Sequence, residues 1–273
     1  MNEKRFQKRT LFLFAYLLFA VLPIYWMINM SFKTNEEILS TFTFFPQHFT
    51  WDNYKTIFTD PSWYSGYINS LIYVAINTVI SLTVALPAAY AFSRYRFRLK
   101  GPLNAFIIST QTVPPITLLI PYFGMVVAFR IFDTYLALIL TYLVFTLPYA
   151  ILLMTGFLNT LPRELDEAVR VDGGSSWTAL WRVIVPLSLP GIVATSVYTF
   201  LLSWNEFLFA LTLTKSMDMR TVPIGISLLM GQHAFEWNEM MAMSVLGALP
   251  LLLLYLIAQR YFLAGMTAGS VKS

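Results

Sequence analysis

Long apolar runs alternate with short polar connections along this chain, at residues 11–30, 69–92, 103–127, 135–157, 187–207 and 240–261. A helix needs roughly 20 mainly apolar residues to cross a hydrocarbon core about 30 Å thick, and these runs have that length. The pattern predicts an all-α polytopic membrane protein with six transmembrane helices in a single domain, residues 1–273. The first run follows Lys4, Arg5, Lys8 and Arg9, as the apolar stretch of a signal peptide would. It exceeds the roughly 7–15 residues of such a stretch, and no small-residue cleavage site follows Met30, so it is expected as a retained first span.

Prolines recur inside the runs, at positions 23, 87, 114, 115, 121, 148, 190 and 250. Each removes a backbone donor and tends to kink its helix. Kinked helices suit a pore that changes shape, and proline is also common in membrane helices generally. The longest connection, residues 31–67, is rich in aromatics and broken by Pro46 and Pro61. It reads either as an interfacial aromatic belt or as a surface for an external partner.

Composition agrees with a membrane setting. The chain of 273 residues is 57% hydrophobic and 12% charged, more apolar surface than one soluble domain of this size can bury. With six spans both termini share a side. That side carries thirteen lysines and arginines: four before the first run, Arg94, Arg96, Arg98 and Lys100, then Arg163, Arg170, Arg182, Arg260 and Lys272. The other side carries Lys33, Lys55, Arg130, Lys215 and Arg220. The excess of positive charge predicts cytoplasmic N- and C-termini in a multi-pass inner (plasma) membrane protein surrounded by lipid. The net charge of +4 sits beside apolar runs, which fits membrane orientation, so no nucleic-acid partner is expected. The absence of cysteine excludes disulfides and thiolate metal sites.

The connection at 161–186 breaks the apolar pattern. Pro162 suits a first helical turn, and Leu165, Ala168, Val169 and Asp172 share a face up to Gly173-Gly174, a natural helix stop. Ser175 or Ser176 then caps a second helix, on which Trp177, Leu180, Trp181 and Ile184 form an apolar stripe, with Pro186 expected to stop it. Such a stripe must be buried against something other than water. Glu164, Asp166, Glu167 and Asp172 argue against an anionic lipid surface and for a protein groove.

Residues 167–173, Glu-Ala-Val-Arg-Val-Asp-Gly, with Val183-Ile184-Val185-Pro186 further on, resemble the cytoplasmic coupling motif of binding-protein-dependent ABC importer permeases. Valine replaces the second alanine of that motif at 169 and its closing apolar residues at 183 and 185. Ser203-Trp204-Asn205-Glu206-Phe207 and the end of the chain, from Gln259 through Gly265 to Lys272, are similar to carbohydrate importer permeases of the smaller type in the maltose-transporter family. The resemblance implies the type I importer permease fold. It also implies a heterodimer with a second permease, an ATPase dimer that binds ATP and Mg, and an extracellular solute-binding protein. Glu167, Ala168, Asp172, Gly173, Trp177 and Trp181 would then meet the ATPase, and the tail at Gly269 and Ser270 would reach toward it.

The chain holds no G-x-x-x-x-G-K-[ST] loop, so ATP hydrolysis is expected on a separate subunit, and no cofactor is expected on this one. His48 and His233 both lie in connections on the outer side, which leaves an intramembrane serine protease without its base. An ion-coupled secondary transporter or channel is the alternative, but Glu206 is the one charged candidate well within a span. Gln111, Trp204, Asn205 and Glu206 are candidates to line a solute path, together with Asn77, Thr78, Ser81, Thr112 and Ser203. Such groups also bond helices to one another in lipid.

Overall fold

The computed structural model describes residues 3–230 and 235–269; His233 and Ser270 lie outside them. Regular structure among the described residues is helical apart from one isolated bridge, Met230 to Phe235. Four helices are long and apolar enough to cross a membrane: Arg9–Ser31, Trp63–Arg94, Tyr135–Leu158 and Trp237–Tyr261. Two bent pairs bring the number to six when each is counted as one span, namely Lys100–Thr110 with Pro115–Ala128 and Ser176–Leu187 with Leu189–Trp204. These are spans one to six below in chain order, with Leu189–Trp204 as the fifth.

The bends correct two expectations. Residues 103–127 are not one helix: the chain turns through 97° at residues 111–114. Pro114 drives the residue before it away from helical geometry, and Pro115 opens a short 3-10 turn, Pro115–Leu118. Pro186 does not stop its helix either. A π turn, Leu180–Ile184, precedes it, and the Val185 N–H reaches back to the Leu180 carbonyl. That turn absorbs the donor proline lacks, so the helix runs to Leu187 and the 77° bend falls at Ser188.

The chain forms two compact units. One comprises the residues up to Tyr64 with Ile224–Pro250. Here Asn53 stitches the backbone, donating to the carbonyls of Ser31 and Lys33 at 2.8 and 2.9 Å while its own oxygen accepts from Asn238 at 2.7 Å. Ile57, Leu229, Met240, Ala242 and Met243 form its apolar core. Glu37 gathers the segment that follows span one by accepting from the Thr43 hydroxyl and the backbone amides of Gln47 and His48. Burial works against its ionisation, but those donors and Lys33 outweigh it and hold the carboxyl below its ordinary pKa. Segment 31–67 is therefore a folded element with exposed aromatics such as Phe42, Phe45 and Trp51.

The other unit comprises Ser65–Pro223 and the chain from Leu251. Spans two, four and five meet through polar groups as well as apolar ones. Asn77 donates to Ser203 at 2.7 Å and Thr146 at 3.2 Å, and Ser81 lies 2.9 Å from Thr146. Gly191 lets the start of span five cross closely over Phe157, whose ring would lie 2.4 Å from an added Cβ.

Candidate functional site

The connection between spans four and five folds as two helices, Glu164–Val171 and Ser176–Leu187, around a glycine turn. Gly173 has φ +79°, in the left-handed region that closes helices, and Ser175 rather than Ser176 caps the second helix by accepting from the Thr178 N–H. The expected apolar stripe is split. Leu180 and Ile184 are buried at 1% and 0%, whereas Trp177 and Trp181 are 63% and 38% exposed, edge to face at 5.5 Å. The reason lies in what each pair meets. Leu180 and Ile184 pack on Leu86, Ala89 and Tyr90 of span two and on Met154 and Leu158 of span four, which leave the tryptophans uncovered. Glu167, Ala168, Asp172 and Gly173 are exposed as well, so all six candidate coupling residues face outward from this chain.

What anchors the segment was not anticipated. Asp166, one residue before Glu167, is buried and forms a 2.8 Å ion pair with Arg94 at the end of span two; both side chains are under 10% exposed. Tyr90 donates to the other Asp166 oxygen at 2.5 Å. Arg94 also donates to the Leu161 carbonyl at 3.1 Å, Ser93 donates to Asn159 at 2.8 Å, and Arg163 donates back to the Ser93 carbonyl at 3.3 Å. One turn of span two thus grips the entry to the first amphipathic helix. Asp166 shares a face with Val169 and Gly173 at i, i+3 and i+7, the only trace of this in sequence.

A cavity of about 270 Å³ opens where span three breaks. It is lined by Thr110, Gln111 and Val113 from the break, Tyr142 and Tyr149 from span four, Ser203 from span five, and Glu206, which was expected within that span but lies just past its end at Trp204, among others. Irregular backbone at membrane depth is tolerated where it borders such a cavity. Of the four candidate path residues, Gln111 and Glu206 line it and the other two do not. Trp204 is buried, stacked on Phe200 with ring centroids 5.6 Å apart, and Asn205 is exposed and donates to the Leu201 carbonyl. Glu206 also accepts from the backbone amides of Phe209 and Ala210 at 2.8 and 2.9 Å, capping the next helix, Leu208–Leu213. Asn77, Ser81 and Ser203 bond helices together, as polar groups in spans commonly do. Gly269 ends the helix Trp237–Gly269, and its expected companion Ser270 lies outside the described residues.

Bent apolar helices around an amphiphilic cavity, with an amphipathic pair fastened at one end, fit a membrane permease. Residues 81–267 match the family described as binding-protein-dependent transport system inner membrane component, and the chain belongs to that family. It is 34% identical over 251 residues to the sulfoquinovosyl glycerol transport system permease protein of Agrobacterium fabrum, covering 92% of this chain and 88% of that one. It is 33% identical over 271 residues to the trehalose/maltose transport system permease protein of Thermococcus litoralis, covering 97% of each. In fold it is similar to a chain of a bacterial ABC transporter involved in the import of the acidic polysaccharide alginate, with TM-score 0.79 and 21% identity over 96% of this chain and 98% of that one. The chain is thus an importer's inner-membrane permease subunit, and the ion-coupled carrier or channel falls away.

Proposed function

We propose that this permease passes a sugar or oligosaccharide from an external solute-binding protein into the cytoplasm, driven by an ATPase that docks on the segment from Arg163 to Pro190. The observation that carries the docking is the division of that segment into an anchored face and an open one. Asp166, Leu180 and Ile184 are held by the chain's own spans, while Glu167, Val171, Asp172, Trp177 and Trp181 are exposed. An exposed patch of tryptophan and valine rimmed by carboxylates suits a protein groove with basic groups at its edge. The carbohydrate reading is supported by the relatives' names and by a cavity that combines tyrosine faces with hydroxyl, amide and carboxylate groups.

In this reading the chain pairs with a second, related permease, both termini are cytoplasmic, and ATP and Mg bind only to the ATPase dimer. The tail at Gly269 and Ser270 reaches toward that dimer. Purification from native membranes is expected to bring down an ATPase, and vesicles holding the complex and its binding protein are expected to take up one of a panel of trehalose, maltose and diacetylchitobiose only with ATP inside. Uptake that follows an ion gradient without ATP overturns the proposal. Orientation is tested with single cysteines in this naturally cysteine-free chain. Met217→Cys, at an exposed position, should react with an impermeant reagent on intact cells, and Leu99→Cys, also exposed, should not. The reverse pattern inverts the topology.

A further inference from the structure

We infer that Arg94, Asp166 and Tyr90 are positioning residues that carry the movement of the docking segment into span two and on to the cavity wall. The inference rests on the docking reading above. Its physical basis is two sets of short contacts joined by one helix, which runs unbroken past Pro87 between them. At one end of Trp63–Arg94, Arg94 meets Asp166 at 2.8 Å and Tyr90 donates to it at 2.5 Å. Ser93 and Arg94 also hold Asn159 and the Leu161 carbonyl, so the grip takes in the end of span four and the entry to the docking helix together. Ser81 lies thirteen residues before Arg94, about 20 Å along a helix rising 1.5 Å per residue. There Asn77 and Ser81 bond Thr146 and Ser203, and both of those line the cavity.

The grip is electrostatic and stands beside apolar packing. Leu86, Ala89 and Tyr90 already pack against Leu180 and Ile184 of the second docking helix. A buried ion pair contributes little net stability over apolar residues of the same volume, but it fixes one geometry, because sliding either partner strands a buried charge. A displacement of Asp166 is therefore passed to Arg94 rather than absorbed by slippage. No other ion pair between helices of this unit is found among the described residues.

The test uses the whole importer complex purified around this chain, with Val113→Cys as a reporter in the cavity lining. In the parent, the rate at which maleimide labels the Val113→Cys peptide is expected to change about fivefold or more between the nucleotide-free and ATP-vanadate-trapped states. In Arg94→Met/Asp166→Leu, which keeps volume and removes both charges, ATP hydrolysis is expected to persist within about twofold while the labelling change disappears. Tyr90→Phe, which keeps the ring packing, is expected to reduce the change about two- to threefold. A purely structural role would lower assembly or hydrolysis and leave the labelling response of assembled complexes intact. The inference is overturned if the parent shows no ATP-dependent change, or if both variants respond like the parent. It is overturned equally if the double variant does not assemble and Tyr90→Phe responds like the parent. Failure of the docking reading is distinct from all of these, since no ATPase would then accompany the wild-type chain.

Discussion

Span four is closed by polar contacts at both ends, and the two closures are built differently. At its Leu158 end, bonds to the Leu161 and Ser93 carbonyls stand beside direct side-chain pairs: Arg94 with Asp166, Tyr90 with Asp166, Ser93 with Asn159. At its Tyr135 end, side chains mostly hold backbone. Asn69 donates to the carbonyls of Asp218 and Arg220 and accepts from Tyr135, while Asp133 accepts from the amides of Lys215 and Ser216. Backbone-directed bonds fasten loops in place. The charged clamp instead fastens two helices whose other face stays open, which is the arrangement a moving partner needs.

The sharpest break between anchored and open faces comes from two adjacent carboxylates. Asp166→Ala leaves Arg94 buried without its partner and is expected to lower stability by about 3–5 kcal/mol, read as a large fall in melting temperature of the detergent-solubilised complex. Glu167→Lys, on the open face, is expected to change melting by less than about 0.5 kcal/mol and to abolish ATP-driven uptake. Equal melting losses in the two variants would erase the distinction between the faces.

At the Tyr135 end, Asn69→Leu removes three hydrogen bonds and leaves two loop carbonyls short of a donor, with an expected loss of about 1–3 kcal/mol. Because that end holds loops, ATP hydrolysis per complex should stay at the parent level in whatever fraction assembles. Hydrolysis falling in step with melting would show the two ends to be less separate than their contacts suggest. Gly173→Val tests the hinge of the open segment. No atom lies within 4 Å of an added Cβ, so the change acts through the left-handed backbone alone and should cost about 1–2 kcal/mol locally. Uptake should fall at least tenfold with global melting shifted by no more than a few degrees, and normal uptake would remove the turn from the docking surface.

Much of this was readable from sequence because it rests on local rules. Gly173 announces a helix end, Ser175 a helix start, and the apolar runs the spans. The six candidate coupling residues are exposed on this chain, and a motif of charge, small residues and glycine is a surface pattern. The clamp escaped notice because Asp166 looks like one more carboxylate among four, and only its approach to Arg94, 72 positions earlier, distinguishes it. The split of the tryptophan stripe depends on where spans two and four end, which periodicity does not encode. Prolines flank both bends, but whether Pro114 breaks a helix and Pro186 is absorbed turns on the neighbouring hydrogen bonds, here a π turn at Leu180–Ile184. Glu206 reads in sequence as a lone charge near a path, and its second task, capping the helix after span five, depends on how the chain turns beyond Trp204.

The smallest expected effect concerns acid. Asp133 lies between spans three and four, and although burial opposes its ionisation, the amides of Lys215 and Ser216 and the charge of Lys215 hold its carboxyl below the ordinary value. A carboxyl whose pKa is lower folded than unfolded binds fewer protons in the folded state, so its contribution is fully present above the ordinary carboxylate range near 4 and fades as pH falls through and below that range. Glu37 in the other unit is shifted in the same direction by its own amide donors and should behave alike. Melting of the parent should therefore fall between about pH 5 and pH 3, and Asp133→Asn, with no proton to gain, should start lower and fall less steeply. Parallel pH profiles for parent and variant would mean that the Tyr135 end is held by Asn69 and its carbonyls with no help from charge, leaving the Arg94 clamp as the one electrostatic closure of span four.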